Sequence, residues 1–336
     1  MESPEQAAGE ALARFVGDAL PGEGPFRLER LTTGASNWMY LMRRDGGAWV
    51  LRRPPDRRTD RRYIAREFRM LRALAATEVP VPTPLLLCED PDVIGAPFHV
   101  MEHVKGFTPM DPLPAGVDRA TLARSLVDGL AAIARVDWRA AGLEGFGKPD
   151  GFLERQVGRW LGQLETYRAR EIPGIDELAR RLDASVPPAA EPGILHGDYQ
   201  FINVLARADG TLAAVLDWEQ STIGDPLLDL GWLLAGWSEP GEEPLRFGSR
   251  YLKDRTGFPS RADLAERYAT ATGRSLERLA FYEALALFKL ACVLEGSYAA
   301  FVSGASTNPM HEKMGALVVE AVAQAHQVIA GSHSEG

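Results

Sequence analysis

A chain of 336 residues is too long for one ordinary hydrophobic core, so two lobes or domains are expected. Its residues, 46% hydrophobic and 25% charged, are in the proportions of a soluble globular protein. A formal net charge of −9 argues against nucleic acid as the main partner, since that binding needs a basic face.

The acidic start MESPEQAAGE lacks the basic-then-apolar layout of a signal peptide. No apolar run is expected to reach membrane-spanning length; LALFKLACVL comes nearest and carries Lys289, so no membrane association is expected. The two cysteines, Cys88 and Cys292, both lie in apolar surroundings, which suggests a reducing cytoplasm rather than a disulfide framework. Six histidines form no pattern with metal-ligand spacing, and zinc is not expected.

In chain order, FRLERL, NWMYLMRR and AWVLRR are strand-like runs separated by TTGAS and DGG, which are loop and hairpin signals. From about Asp60 to Ala76 the period becomes helical, with Ile64, Phe68, Leu71 and Ala75 on one face. Pro80, Pro82 and Pro84 break that pattern, and PFHVMEHV is again strand-like. Beyond Gly106 the segments DRATLARSLVDGLAAIARV and FLERQVGRWLGQLETY read as amphipathic helices, and the last part of the chain is mostly helical. The expected class is α+β, with an N-terminal lobe of residues 1–104 (a small antiparallel sheet and one helix) and a mainly helical C-terminal lobe of residues 105–336.

One β insertion stands out in the helical part. NVLAR and TLAAVLDW flank ADG and read as a hairpin. Centring its turn on Asp209 sets Asn203 opposite Val215–Asp217, so Asn203 and Asp217 are expected at its open end, with Asp198 just upstream. An Asn and an Asp offer hard oxygen ligands suited to Mg²⁺ carrying phosphate. A further carboxylate can orient a hydroxyl and accept its proton. Together they suit phosphoryl transfer, where positioning and charge neutralisation carry most of the catalysis.

HGDYQFIN has the H-x-D-x-x-x-x-N spacing of the kinase catalytic loop, and VLDWEQSTIGDPLLDLGWLL resembles a kinase metal-binding segment with its following helix. On these motifs the chain resembles the aminoglycoside phosphotransferase-like kinases, in the branch related to the kinase-like domain fused to acyl-CoA dehydrogenases. The resemblance implies a protein-kinase-like, two-lobed fold. It makes Asp198 the catalytic base and Asn203 and Asp217 the Mg²⁺ ligands, although Trp218 and Glu219 stand where protein kinases have Phe-Gly. Arg52 takes the place of the phosphate-contacting lysine, with Glu67 as its ion-pair partner. VMEHVKG resembles the hinge, with Met101 lining the adenine pocket and main-chain groups of Glu102 and Val104 facing the base. TTGASN, with Gly34 and Ser36, falls where a nucleotide-covering loop belongs. His196 is expected to fix the loop, and Asp229 to brace it by accepting backbone N–H groups. Asp225 before Pro226 reads as a helix N-cap.

The function so implied is a small-molecule phosphotransferase moving the γ-phosphate of ATP, or of GTP, to an acceptor hydroxyl with Mg²⁺. It is expected to act as a monomer or homodimer with a small-molecule acceptor as its partner. The alternatives are a catalytically inactive nucleotide-binding kinase-like protein and a metal-dependent phosphohydrolase. Nine arginines lie from Arg52 to Arg72, with Arg58, Arg62, Arg66 and Arg69 on one helix face; they read first as a solvated face. Trp232, Trp237 and Tyr251 read as core, with lining of an acceptor pocket as the second reading.

Overall fold

The computed structural model describes residues 4–31, 38–55, 62–239, 252 and 254–331. Gly34, Ser36, Arg58 and Tyr251 lie outside the described residues. The chain divides into two compact units, residues 1–106 with 213–219, and residues 107–212 with 220–336.

The first unit opens with a helix not expected from the sequence, α1 (Pro4–Val16), and continues through β1 (Arg27–Leu31), β2 (Trp38–Arg44) and β3 (Gly47–Arg53). Helix α2 (Tyr63–Leu74) follows, then β4 (Pro84–Cys88) and β5 (Phe98–Glu102). The five strands form one antiparallel sheet in the order β1-β2-β3-β5-β4. Because side chains alternate across a strand, Trp49 and Leu51 of β3 share a face with Phe98 and Val100 of β5. That face packs with Leu12 and Val16 of α1 into the core of this unit. The intervening residues Arg52 and His99 are directly paired across the ladder and point to the opposite face. A slip of one residue would reverse both. On α2 the apolar positions Ile64, Phe68 and Leu71 are buried, while Arg62, Arg66 and Arg69 are exposed as a solvated face.

The boundary differs from the expected 104/105 in that Ala213–Glu219 belongs with the first unit. Val215 N–H donates to Pro80 C=O at 2.7 Å, and Trp218 N–H donates to Glu67 Oε1 at 3.3 Å. Sequence order gives no hint of such a return.

In the second unit α3 (Arg119–Arg135) is capped by Asp118, whose carboxylate accepts from the N–H groups of Ala120 and Thr121. A short 3₁₀ turn (Leu153–Arg155) leads into α4 (Gln156–Glu165), and Gly174 precedes α5 (Ile175–Ala184). Strand β6 (Gly193–Leu195) pairs antiparallel with β9 (Thr222–Gly224). Strand β7 (Val204–Ala206) and its turn, closed by Arg207 N–H to Thr211 C=O at 2.8 Å, form where expected, and the chain leaves this unit along β8 (Leu212–Val215), whose residues from Ala213 on belong with the first unit. Then come α6 (Leu227–Ala235), α7 (Arg261–Thr272), α8 (Leu279–Val302) and α9 (Pro309–Gly331).

Helix α8 corrects one expectation. Its 24 residues are long and apolar enough to cross a membrane by length and composition. The run is longer than LALFKLACVL because small and aromatic residues extend it in both directions. Most of its side chains from Phe281 to Leu294 are buried, and it packs between α6 and α9 as a core helix. Close approach to α6 depends on Gly231, where a Cβ would stand 2.6 Å from the Tyr282 backbone.

Candidate active site

The expected site residues fall into two groups of side chains, one in each unit. In the first, Arg52 is 3% exposed and held by carboxylates. Its Nε lies 2.9 Å from Glu67 Oε2, and its Nη2 lies 2.6 Å from Asp217 Oδ1 and 3.6 Å from Glu219 Oε2. Glu67 is itself buried on α2, and its Oε2 also meets His99 Nε2 at 3.3 Å. Burial pulls the Arg52 guanidinium toward neutrality, but the charges of Glu67, Asp217 and Glu219 outweigh it and raise its pKa. Burial alone would raise the Glu67 pKa; Arg52, His99 and the Trp218 N–H together bring it below the ordinary carboxylate value.

Asp217 has φ of 65°, the one positive value at a non-glycine residue among the described residues. This left-handed conformation costs about 1–3 kcal/mol and persists only where the surroundings over-determine it. Here Arg52 holds the side chain, and Trp218 is fixed on the next peptide by Glu67.

On the expected hinge, Met101 is buried on β5, where it pairs with Val50. The N–H of Glu102 already donates to Thr83 C=O at 2.9 Å, and its carboxylate accepts from Thr83 Oγ1 at 2.8 Å. The Glu102 N–H is thereby already engaged within the first unit. Val104 follows β5 outside regular secondary structure.

In the second unit, β6 delivers the chain into the loop His196–Asn203. Asp229, near the start of α6, accepts from His196 N–H at 2.6 Å and from Gly197 N–H at 2.9 Å. His196 is fully buried, and its Nδ1 accepts from Asp198 N–H at 3.2 Å, which leaves the ring proton on Nε2. Gly197 has φ of +84°, and a Cβ there would lie 2.7 Å from Gln220 O, so only glycine fits. Asp198 is half-buried; Oδ1 accepts from Gln200 Nε2 at 2.5 Å and Oδ2 from Asn203 Nδ2 at 2.9 Å. Its carboxylate is thus aimed by two amides. Asn203 Nδ2 also donates to Asp198 C=O at 2.8 Å, so Asn203 presents Oδ1 as a hard oxygen donor.

Asp225 caps α6 from just outside it: Oδ1 accepts from Leu227 N–H at 3.1 Å, and Oδ2 accepts from the Tyr282 hydroxyl at 2.6 Å. Burial raises the pKa of Asp229 despite His196 and the two N–H donors. Trp237 packs as core, stacked on Phe201 with ring centroids 5.6 Å apart, while Trp232 is half-buried.

Asp198 and Asn203 are thus brought together in the second unit, and Arg52, Glu67 and Asp217 in the first. Sequence reasoning passed over His99, Gln200, Glu219 and Lys289. Gln200 was available in the HGDYQFIN motif, and Lys289 as the single charge in an apolar run. The role of His99 depends on a strand register that its own neighbours do not reveal.

Among the described residues no group of three His, Cys, Asp or Glu side chains forms a metal cage. Asn203 in the second unit and Asp217 in the first each carry a side-chain oxygen of the hard type that Mg²⁺ takes.

Residues 27–282 match the family model described as the phosphotransferase enzyme family. The chain belongs to that family. The phosphotransferase family member is 33% identical over 319 residues to acyl-CoA dehydrogenase family member 11 of Gallus gallus. It is 31% identical over 325 residues to member 10 of Mus musculus. The alignments cover 90% and 94% of this chain but only 41% and 30% of those relatives, so the chain spans well under half of their length. Among solved structures it resembles a candidate aminoglycoside phosphotransferase from Ralstonia eutropha, with 30% identity, a TM-score of 0.83 and coverage of 95% and 97% of the two chains. A macrolide 2'-phosphotransferase from Brachybacterium faecium shares the fold at 21% identity and a TM-score of 0.60, over 93% and 97% of the chains. The phosphotransferase fold is accordingly the α+β, protein-kinase-like fold expected from the motifs.

Proposed function

We propose that the protein is a kinase of small molecules, transferring the γ-phosphate of ATP to an acceptor hydroxyl in the presence of Mg²⁺. The observation that carries this reading is the Asp198 carboxylate, fixed by Gln200 and Asn203 on a loop anchored to Asp229. A carboxylate so held is preorganised as a general base, and family membership supplies the reaction class.

In this reading Asp198 orients the acceptor O–H and takes its proton as the new O–P bond forms. The bond between the γ-phosphorus and the β–γ bridging oxygen breaks in line, and ADP leaves with that electron pair. Arg52, aligned by Glu67, grips the α/β phosphates. The carbonyl of Glu102 and the main chain of Val104 meet the adenine edge, with Met101 behind it, and Gly34 and Ser36 belong to the loop over the phosphates. Asn203 and Asp217 would hold Mg²⁺, which neutralises phosphate charge when bound. GTP serves equally where recognition of the base is through main-chain groups. In this reading the protein works in the cytoplasm as monomer or homodimer, and its two buried thiols, Cys88 and Cys292, stay reduced there.

Related structures bear on the acceptor: one family member was crystallised with AMP-PNP and hygromycin B, another with GDP and kanamycin. They support a nucleotide and a polar small molecule as the two substrates of this chain. The deciding experiment is a Mg·ATP phosphoryl-transfer screen over amino sugars, macrolides, hydroxyacyl-CoAs and amino alcohols, with Asp198→Asn as control. Acceptor-dependent ADP release that disappears in Asp198→Asn is the expected result. Release that persists in the variant, or no acceptor-dependent release at all, refutes the reading.

A further inference from the structure

Lys289 is a charged residue inside the apolar helix α8, and it is 8% exposed. Its Nζ donates a hydrogen bond to the Gly197 carbonyl and sits 4.2 Å from the Trp232 ring centroid and 5.7 Å from that of Trp160. Burial pulls its pKa below the ordinary lysine value, while Asp198 and Asp229 favour the charged form and Arg159 opposes it. A buried ammonium is a costly way to fill space between two indoles, where methionine would pack without a desolvation cost.

The Gly197 carbonyl belongs to the same peptide group as the Asp198 N–H, and that N–H donates to His196 Nδ1. One peptide plane is therefore gripped at both ends, by Lys289 at its oxygen and by His196 at its nitrogen. Fixing the plane fixes the direction in which the Asp198 Cα–Cβ bond leaves the chain. Gly197 is the residue most in need of such restraint, because its φ of +84° is a conformation in which glycine is otherwise free to move. Asp229 secures the preceding peptide through the Gly197 N–H, whereas Lys289 and His196 act on the next one.

We infer that Lys289 is a positioning residue of the phosphotransferase, locking the Gly197–Asp198 peptide so that the Asp198 carboxylate faces the acceptor. The inference rests on the proposed role of Asp198. Trp232 and Trp160 face the ammonium with their rings and help to hold it in place.

The test compares Lys289→Met and Lys289→Arg with wild type by two independent measurements. The first is steady-state phosphate release from Mg·ATP with water as acceptor. Lys289→Met is expected to lower kcat by about 100-fold with KM for Mg·ATP unchanged, since small misplacements of a catalytic group cost about that much. Lys289→Arg, which keeps a cation and donors, is expected to recover part of the loss. The second is amide hydrogen exchange, which requires no turnover: the Gly197 and Asp198 amides should exchange at least about tenfold faster in Lys289→Met, with those of α6 and α8 unchanged. If Lys289→Met does not fold, Lys289→Gln is measured in its place. Unchanged exchange at Gly197 and Asp198 overturns the inference, as does a loss of kcat matched by an equal rise in KM and faster exchange throughout α8. Wild-type protein without phosphate release from Mg·ATP or transfer to any acceptor counts against the proposed function alone, because loop exchange still decides the anchor.

Discussion

The Arg52 guanidinium bonds Asp217 Oδ1 at 2.6 Å while its Nε faces Glu67 at 2.9 Å, so one buried cation bridges a carboxylate of α2 and one of the downstream segment that completes the first unit. Removing one member of such a group leaves the others as unpaired buried charges. Arg52→Met is therefore expected to destabilise the protein by about 3–5 kcal/mol. Where folded protein remains, the Kd for Mg·ATP should rise more than about tenfold through loss of a phosphate contact. Thermal unfolding and calorimetric titration check the two effects. An unaltered melting midpoint would contradict the energetic reading of the bridge.

The same group sets a dependence on acid. The pKa of Glu67 is lower in the folded protein than its ordinary value of 4.5. A depressed carboxylate pKa adds stability at higher pH, and that increment is lost as pH falls below the unfolded value toward the folded one. Stability contributed by Glu67 should thus be complete at neutrality and decline below about pH 4.5. Glu67→Gln should be less stable than wild type at pH 7, with the gap narrowing in acid. Denaturant titrations at several pH values measure it, and a gap that widens in acid would contradict the sign.

Asp229 accepts two backbone N–H groups with two oxygens. Asn has one acceptor, and its NH₂ would confront the second N–H. Asp229→Asn is expected to cost about 1–3 kcal/mol, the usual cost of leaving a buried donor unsatisfied. It should also lower phosphoryl transfer with little change in Mg·ATP affinity, since Arg52 and the hinge are untouched. Urea unfolding and binding measured side by side decide this.

Gly197→Ala places a methyl 2.7 Å from Gln220 O at a residue whose φ is +84°. Both the contact and the backbone oppose it. A loss of about 1–3 kcal/mol is expected, together with a fall in transfer activity larger than the stability change would explain. A variant with wild-type kinetics would show that the loop tolerates a shifted Gly197 and is not held as tightly as its hydrogen bonds imply.

Chelation separates the metal's part from the protein's. With EDTA in excess, phosphoryl transfer from ATP should vanish and return on adding Mg²⁺, while the melting midpoint in the absence of nucleotide should not move. The latter follows because Arg52 already neutralises Asp217 within the fold. A large drop in midpoint on chelation would show that the metal holds the fold itself.

How much of this was legible in the sequence depends on the range of each interaction. The loop HGDYQFIN and the hairpin after it are local, and turn chemistry with strand alternation placed them within a residue or two. The class of the fold followed from the change of period near Gly106. Helix α1 is hard to read in sequence because its first turns, PEQAAGEA, carry no large apolar residue, and Leu12 and Val16 mark a face only at its end. Strand β4 was hidden by the prolines that precede it. The contacts of His99 with Glu67 and of Lys289 with Gly197 span 32 and 92 residues, and nothing in either neighbourhood marks the partner. Lys289 nonetheless stood out as a charge in an apolar helix, a signal that asked for a partner without naming it.

The first unit is discontinuous in the chain, and this orders events during synthesis. A nascent chain ending at Gly106 has α1, α2 and all five strands of the sheet, yet it lacks Asp217, Glu219 and the Trp218 N–H. Until residue 219 leaves the ribosome, Arg52 and Glu67 have each other and His99 but not the groups of Asp217, Trp218 and Glu219. The N-terminal piece is thus born unfinished, and the segment that completes it is translated only after more than a hundred residues of the other unit have been made. Excising residues 1–106 as a minimal nucleotide module should accordingly yield a sheet with an incomplete charge cluster, because the last part of that unit is written far downstream.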